Sequence, residues 1–455
     1  MLTPQDLAES ALAAPGDRIA IVDETSTAHL RWADNAVTGN GVVHSRALTV
    51  IESAPGAGIG VVSREGALDE DAVRAAVEEA GAIARRAAPA PDAHPLPPAA
   101  ERQWSQPPTG TSVAALAGVV AQLAEVFEQA RSRGESSSGY AEHEVRSTYL
   151  ASSSGLRLHH AQPGGVLDLT AHSADRTASA WTGSDLADPS QADLLARYAG
   201  LAARLDPSRH RVDLSPGRYD VILAPSCVAD LMIHLHRAAD LQDALDGGTV
   251  FSGPDGGTRL GERLTEAHLT LASDPAAPGL GCLPFTVVRA PGPGSSCFDN
   301  GTPLRRTEWI SGGSLANLVA TRHSARTAGL PFTPRIGNLV LSGRPTDRTL
   351  DDLVASTDHG LLVTSLWYLR EVDPSRLLLT GVTRDGVHVV KGGEVVGTAP
   401  DFRFDESPVD LLARVAEIGR AEPALPREWG DREFRTAMPA VRVEDFALSS
   451  AGHAR

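Results

Sequence analysis

Apolar residues recur along this chain at two spacings, and each change of spacing marks an element. Thr3 caps a helix over 4–14 with Pro4 at its start, closed by Pro15-Gly16. Strand-like pieces follow at 18–24, 28–32, 41–52 and 59–63. Asp69 opens a second helix, DEDAVRAAVEEAGAIARRAA, in which Val73, Ala76, Val77, Ala80 and Ile83 form one stripe. Its acids lie in the first turn and its arginines in the last, the order the helix dipole favours. Helix, antiparallel strands, helix predicts an α+β layer. Residues 87–108, with PAPDAHPLPPA, read as an extended connection that Trp104 can pin to the body. A long helix follows over 112–133, with Val113, Leu116, Val119, Val120, Leu123, Val126 and Phe127 on one side. Residues 140–181 read as a meander of strands and 191–205 as a further helix.

The stretch DVILAPSCVADLMIHLHRAADLQDALDGGTVFSG, 220–253, reads as a short strand, a turn at Ala224-Pro225-Ser226 and a helix. Val228, Leu231, Met232, Leu235 and Ala239 give that helix one buried stripe. Beyond Gly253 the chain turns glycine-rich, with loops joined by short strands, then a short helix at 350–355 and a strand in GLLVTSLWYL. LLLTGVTRDGVHVVKGGEVVG reads as a hairpin series with turns at Asp385-Gly386 and Gly392-Gly393. A last helix is expected over 409–420, capped by Ser407 with Pro408 at its start, and AVRVEDFAL is a closing strand.

Composition narrows the function. With 455 residues the chain can hold two or three cores. A net charge of −16 argues against a general binder of nucleic acid or anionic membrane. No run of eighteen apolar residues predicts a membrane span, and MLTPQDLAES lacks the basic and apolar regions of a secretory signal, so a cytoplasmic protein is expected. The three cysteines, Cys227, Cys282 and Cys297, have no metal-type spacing and read as reduced thiols.

A strand, a turn and a His-bearing helix is the layout of a helical zinc peptidase site, which needs two His on neighbouring turns and a Glu to activate the metal-bound water. Here His234 and His236 are two apart, about 200° apart around a helix, with Leu235 between them. His234 and His236 are therefore expected to take different surroundings, and Asp240 is the nearest carboxylate on their C-terminal side.

Taken in order, several stretches resemble the TldD/PmbA family on its TldE (PmbA) side. They are HLRWADNAVTGNGV, EVRSTYLASSSGLRLHH, RYDVILAPSCVADLM, PLRRTEWISGGSLANLVATRHSARTAG, GNLVLSG, GLLVTSLWYLREVDP and VTRDGVHVVKGGEVVG. The resemblance implies an α+β fold: an N-terminal α/β layer domain over 1–210, followed by a larger strand-rich domain over 211–455. It also implies a heterodimer whose TldD-type subunit binds zinc through an HExxxH helix and a cysteine near its own C-terminus. This sequence departs at each point: no Glu follows His234 or His236, Ala239 and Leu241 stand where a second His would be, and no cysteine lies beyond Cys297. The expectation is a subunit with no catalytic or metal-binding residue of its own, zinc being held by the partner. It would act on peptides, with no nucleic-acid or membrane role, and pair with itself when alone. A self-sufficient hydrolase with rearranged ligands at His234, His236 and Asp240, or a peptide-binding scaffold without activity, are the alternatives. Arg322, His323 and Arg326, with Arg335 and Asn338, could bind a peptide carboxylate or backbone; the competing reading pairs the arginines with local acids.

Overall fold

The computed structural model describes residues 2–54, 56, 58–185, 187–205, 210–429 and 434–451. The first sheet is made of β1 (Asp17–Ala33), β2 (Ala36–Ser53), β3 (Ile59–Glu65), β4 (Ala100–Arg102), β5 (Ser136–Ser152), β6 (Leu156–His172) and β7 (Ser179–Asp185). Its order is β3-β2-β1-β5-β6-β4, with β7 also on β6. The pieces expected at 18–24 and 28–32 are one strand. The polar Thr25 to Thr27 between them stays in register with β2 on one side and β5 on the other, which holds it extended.

Strand periodicity divides the two faces of this sheet. Ala20, Val22, Ala28, Leu30 and Trp32 point to one face. There α1 (Pro4–Leu12) and α2 (Glu70–Arg86) cover one end, and α3 (Ala117–Ser132) and α4 (Leu194–Arg204) the other. Ile19 and Ile21 point to the opposite face, where Phe285 and Cys297 from the second half of the chain cover them. Trp104 meets the ring of Tyr149 edge-on at 5.8 Å, so the Pro/Ala connection is pinned to this sheet. Among the described residues Val113–Ser132 is a helical stretch long and apolar enough to cross a membrane, although it contains no run of eighteen apolar residues. Its Val119, Leu123, Val126 and Phe127 are buried against the sheet, whereas Val113 and Val120, expected on the same side, are exposed.

The second sheet holds β8 (His210–Arg211), β9 (Gly217–Leu223), β10 (Thr270–Ser273), β11 (Thr307–Ser311), β12 (Ser314–Leu315), β13 (Asn338–Ser342) and β14 (His359–Val363). It continues with β15 (Leu366–Asp373), β16 (Leu378–Thr383), β17 (Val387–Lys391), β18 (Glu394–Ala399), β19 (Phe402–Glu406), β20 (Val415–Ala424) and β21 (Arg435–Ala451). The long β21 is its spine, bonded to β9, β13, β19 and β20. The other helices are α5 (Pro225–Ala238), α6 (Leu241–Leu245), α7 (Arg322–Ala328), α8 (Leu350–Ala355) and α9 (Pro408–Ala413).

Three expectations change here. The helix expected over 409–420 stops at Ala413, and Val415–Ala424 pairs with β21 instead, the sheet overriding local propensity. Asp385-Gly386 does not close a hairpin. β16 pairs with β15 and β19, whereas β17 pairs with β14 and β18, so the chain changes branch at this turn; Gly392-Gly393 does join paired strands. GLLVTSLWYL likewise breaks into β14 and β15 at Thr364-Ser365. The two crossings are lashed together: Thr364 donates to the Asp385 carbonyl at 3.3 Å and Ser365 to that of Arg384 at 2.7 Å.

Candidate functional site

Helix α5 follows β9, which lies between β21 and β14 and fixes where the helix starts. Pro225 occupies its first turn. The helix packs on β21, β20, β15, β9 and α9, and is buried on every side rather than along one stripe. Most of its side chains are apolar, as such surroundings require, and the buried Asp230 accepts the Glu428 amide at 3.1 Å.

His234 and His236 leave α5 on different sides. His236 is 0% exposed, its ring 4.7 Å from that of Trp309 and 5.2 Å from that of Phe434, both edge-on. Burial, aided by the nearby charges of Arg335 and Arg237, keeps its pKa well below the ordinary histidine value, so the ring is neutral. His234 lies against Trp429, centroids 4.8 Å apart, and burial with Arg237 and Arg370 nearby pushes it down to about 4. Leu235 is buried between them. Asp240 caps α6, accepting the Asp243 amide at 3.0 Å. Among the described residues no three His, Cys, Asp or Glu side chains gather closely enough to hold a metal ion. The only His-Glu step in the sequence, His143-Glu144, lies on β5, where a strand replaces the helix and Thr148 stands where a second His would be. The residues on α5 do not fit a tetrahedral zinc site, because the two rings are packed apart and no carboxylate stands between them.

Beside α5 the two sheets enclose a cavity of about 1130 Å³. Its floor is the second face of the first sheet, beyond Ile21. Thr27 and His29 of β1, Val43 of β2, Gln162 of β6 and alternate residues of β5, Tyr140, Glu142, Glu144, Arg146 and Thr148, point into it. Thr27 donates to Glu144 at 3.3 Å, and Arg146 reaches the same carboxylate at 3.3 Å. The roof is built from 282–304, 334–337 and the start of β21. Arg237 at the end of α5, Arg335 and Arg435 line it, the Arg237 guanidinium lying 3.9 Å from the centre of the Trp429 ring. Arg435 donates to the carbonyls of Gly279 and Gly281, each at 3.0 Å, which fixes its position. Arg289 forms a two-pronged pair with Asp23, both bonds 2.7 Å, tying the roof to β1. Gly294 has φ +63, and a Cβ there would meet Asp240 Oδ2 at 2.5 Å and Arg335 Nη2 at 3.3 Å. The roof loop thus passes where only glycine fits, against the residues that follow α5.

Of the five residues expected to bind substrate, Arg335 lines this cavity and the others do not. Arg322 is held by Asp299 at 2.8 Å and by the Pro95 carbonyl at 3.1 Å, so it joins α7 to the Pro/Ala connection. His323 and Arg326 lie on the same short helix. Asn338 is 0% exposed, and its side chain holds the backbone of Asp274 and Leu280. Cys282 lines the cavity, but burial pushes its thiol up to about 11, and that of Cys297 to about 12, so neither is a ready nucleophile. The floor residues were missed, although EHEVRSTYL places Glu142, Glu144, Arg146 and Thr148 two apart, the spacing of one strand face.

The half that encloses α5 defines the class of protein. The sequence model of the PmbA/TldA metallopeptidase C-terminal domain matches residues 216–450, and the chain belongs to that family. Its fold is that of TldE from Thermococcus kodakarensis, with a TM-score of 0.80 over 98% of this chain and 99% of that one at 16% identity. A Thermotoga maritima protein named as a candidate modulator of DNA gyrase gives 0.75 over 97% and 98% at 16% identity. One from Bacteroides thetaiotaomicron with the same designation gives 0.75 over 98% of both chains at 14%. At such identities the likeness is one of fold. No curated protein matches the chain.

Proposed function

We propose that this chain is the non-catalytic subunit of a heterodimeric zinc metallopeptidase of the TldD/TldE type, acting in the cytoplasm on small or unfolded peptides or in peptide maturation. The partner is a TldD-type subunit bearing HExxxH. Zinc in that partner supplies the activated water for hydrolysis. The observation that carries the reading is α5, whose His234 and His236 are packed against separate aromatic groups with Leu235 between them. The likeness to a TldE over nearly the whole chain supports the same reading.

In this role the chain binds and orients rather than reacts. The floor offers the polar side chains of one strand face to a bound peptide. Arg237 and Arg335 line the side of the cavity where a peptide carboxylate would be received.

The test is to purify the chain alone and co-expressed with an HExxxH-bearing partner, then to measure zinc per complex and cleavage of an unfolded peptide. Zinc and cleavage in the mixed complex only are expected. Stoichiometric zinc with cleavage by this chain alone, lost on His236→Ala, overturns the proposal. Peptide binding without cleavage in the mixed complex overturns it as well.

A further inference from the structure

A second group of basic side chains lies outside the cavity lining, where the Pro/Ala connection meets α7. Arg322 donates to the Pro95 carbonyl at 3.1 Å, which sets His94 beside the first turn of that helix. His323 and Arg326 are three apart on α7 and so share one of its faces. Burial, then the charges of Arg326, Arg322 and His323, lower the His94 pKa from the ordinary histidine value, against Asp299, which raises it. Arg322 is matched by Asp299 at 2.8 Å. Arg326 is exposed and has no hydrogen bond or ion pair among the described residues. Nε2 of His94 and Nδ1 of His323 are each shielded from solvent without a hydrogen-bond partner.

A shielded ring nitrogen without a partner costs stability, and so does an unpaired guanidinium beside a histidine on one helix face once that ring is protonated. An anion at this place relieves both. Arg326 supplies a charged fork, and His94 and His323 supply ring N–H donors from two separate elements. Three donor groups match the three terminal oxygens of a phosphate group, whereas a carboxylate has two oxygens, which one guanidinium fork satisfies. We propose that His94, His323 and Arg326 form a binding site for a phosphate group, either the free ion or a monoester. The bound group ties the connection, pinned to the first sheet through Trp104, to α7 in the second half of the chain. The site concerns this chain alone and does not depend on the heterodimer.

Calorimetric titration of the full chain with inorganic phosphate, O-phosphoserine and acetate, at an ionic strength held constant with sodium chloride, measures the binding. Saturable binding of phosphate or O-phosphoserine is expected, and none of acetate. Tighter binding of the free ion identifies it as the natural source, tighter binding of O-phosphoserine identifies a phosphorylated residue, and either sustains the proposal. Arg326→Ala and His94→Ala should each weaken the binding about tenfold. Arg344→Ala, at an exposed arginine after β13, should bind as the native chain does. Phosphate should raise the melting temperature of the native chain and leave that of Arg326→Ala in place. The ring NMR signals of His94 and His323 in the native chain should move as phosphate is added, a readout that needs no variant to fold. No saturable binding of either phosphate compound, equal binding of acetate, native affinity in Arg326→Ala, or ring signals that stay in place overturns the proposal. None of these outcomes bears on zinc or cleavage in the mixed complex.

Discussion

Helix α5 and strand β5 stand on opposite sides of one cavity and meet it differently. From α5 only Arg237 reaches the space, and the helix gives its other side chains to the core. β5 sends in Tyr140, Glu142, Glu144, Arg146 and Thr148, every second residue along the strand. A helix buried all round has no face left for chemistry, whereas a strand with one face on the core always has another to present. The element that could hold a metal is occupied by packing, and the element that lines the space is suited to binding. The contrast depends first on the joint that holds the two sheets together.

The joint is Arg427. Its guanidinium lies 4.7 Å from the centre of Trp181 on β7 and 5.4 Å from that of Trp367 on β15, so it bridges the two sheets. It donates to Ser365 Oγ at 2.6 Å and pairs with Asp385, which also accepts from Ser179 of β7. Arg427→Ala strips a nearly buried carboxylate of its main partner, a change that costs about 3–5 kcal/mol. Urea unfolding should show a loss of that size, and Arg427→Lys a smaller one, since an ammonium keeps the charge without the planar stack. A loss below about 1 kcal/mol for the alanine variant would mean that the sheets are held elsewhere.

This joint shows how far the sequence could be read. The dipeptide Asp385-Gly386 is a sound turn signal, but turn chemistry fixes only the local path; which strands pair is decided by distant partners, here β14 and β19. Residues 415–420 fall within the helix expected over 409–420, and pairing with β21 makes them the start of a strand. The absence of Glu and of a second properly spaced His on α5 could be read directly, because a metal helix writes its ligands at fixed intervals. The cavity could not. Its lining comes from residues near 27, 140–148, 282–304 and 334–337, and no local spacing links them. Arg335 and Asn338 lie three apart on one loop and strand, yet one borders the cavity and the other is sealed beneath it.

A smaller effect tests whether the helix side is as closed as its packing implies. His236 has a folded pKa well below 6.5, so below that pH the unfolded chain binds a proton that the folded chain refuses. The native ring therefore imposes no pH-dependent loss above 6.5, and stability falls as the pH drops below it, by up to about 1.4 kcal/mol per pH unit for this one group. His236→Phe keeps an aromatic ring against Trp309 and Phe434 and removes the titration. Between pH 7.5 and pH 5 the variant's melting temperature should fall less than the native chain's. Equal falls would show that the imidazole is protonated in the folded state, and the closed view of α5 would be lost.

The smallest expected effect lies on the strand side. Glu144 touches Thr27 and Arg146 at the edge of hydrogen-bond distance and is partly exposed, so Glu144→Gln should change stability by no more than about 0.5 kcal/mol. Binding should respond more than folding. The variant removes one negative charge from the floor, and a partly solvated charge contact contributes up to about 1 kcal/mol, or roughly fivefold in affinity. In the mixed complex, an unfolded peptide rich in lysine should bind about twofold to fivefold more weakly to the variant, and a peptide rich in glutamate should not. Anisotropy titrations of the two labelled peptides at low salt measure both numbers, and screening predicts that the difference shrinks as salt is raised. Equal affinities for native and variant complexes with both peptides would place the substrate away from β5. The polar floor would then serve only to solvate the cavity.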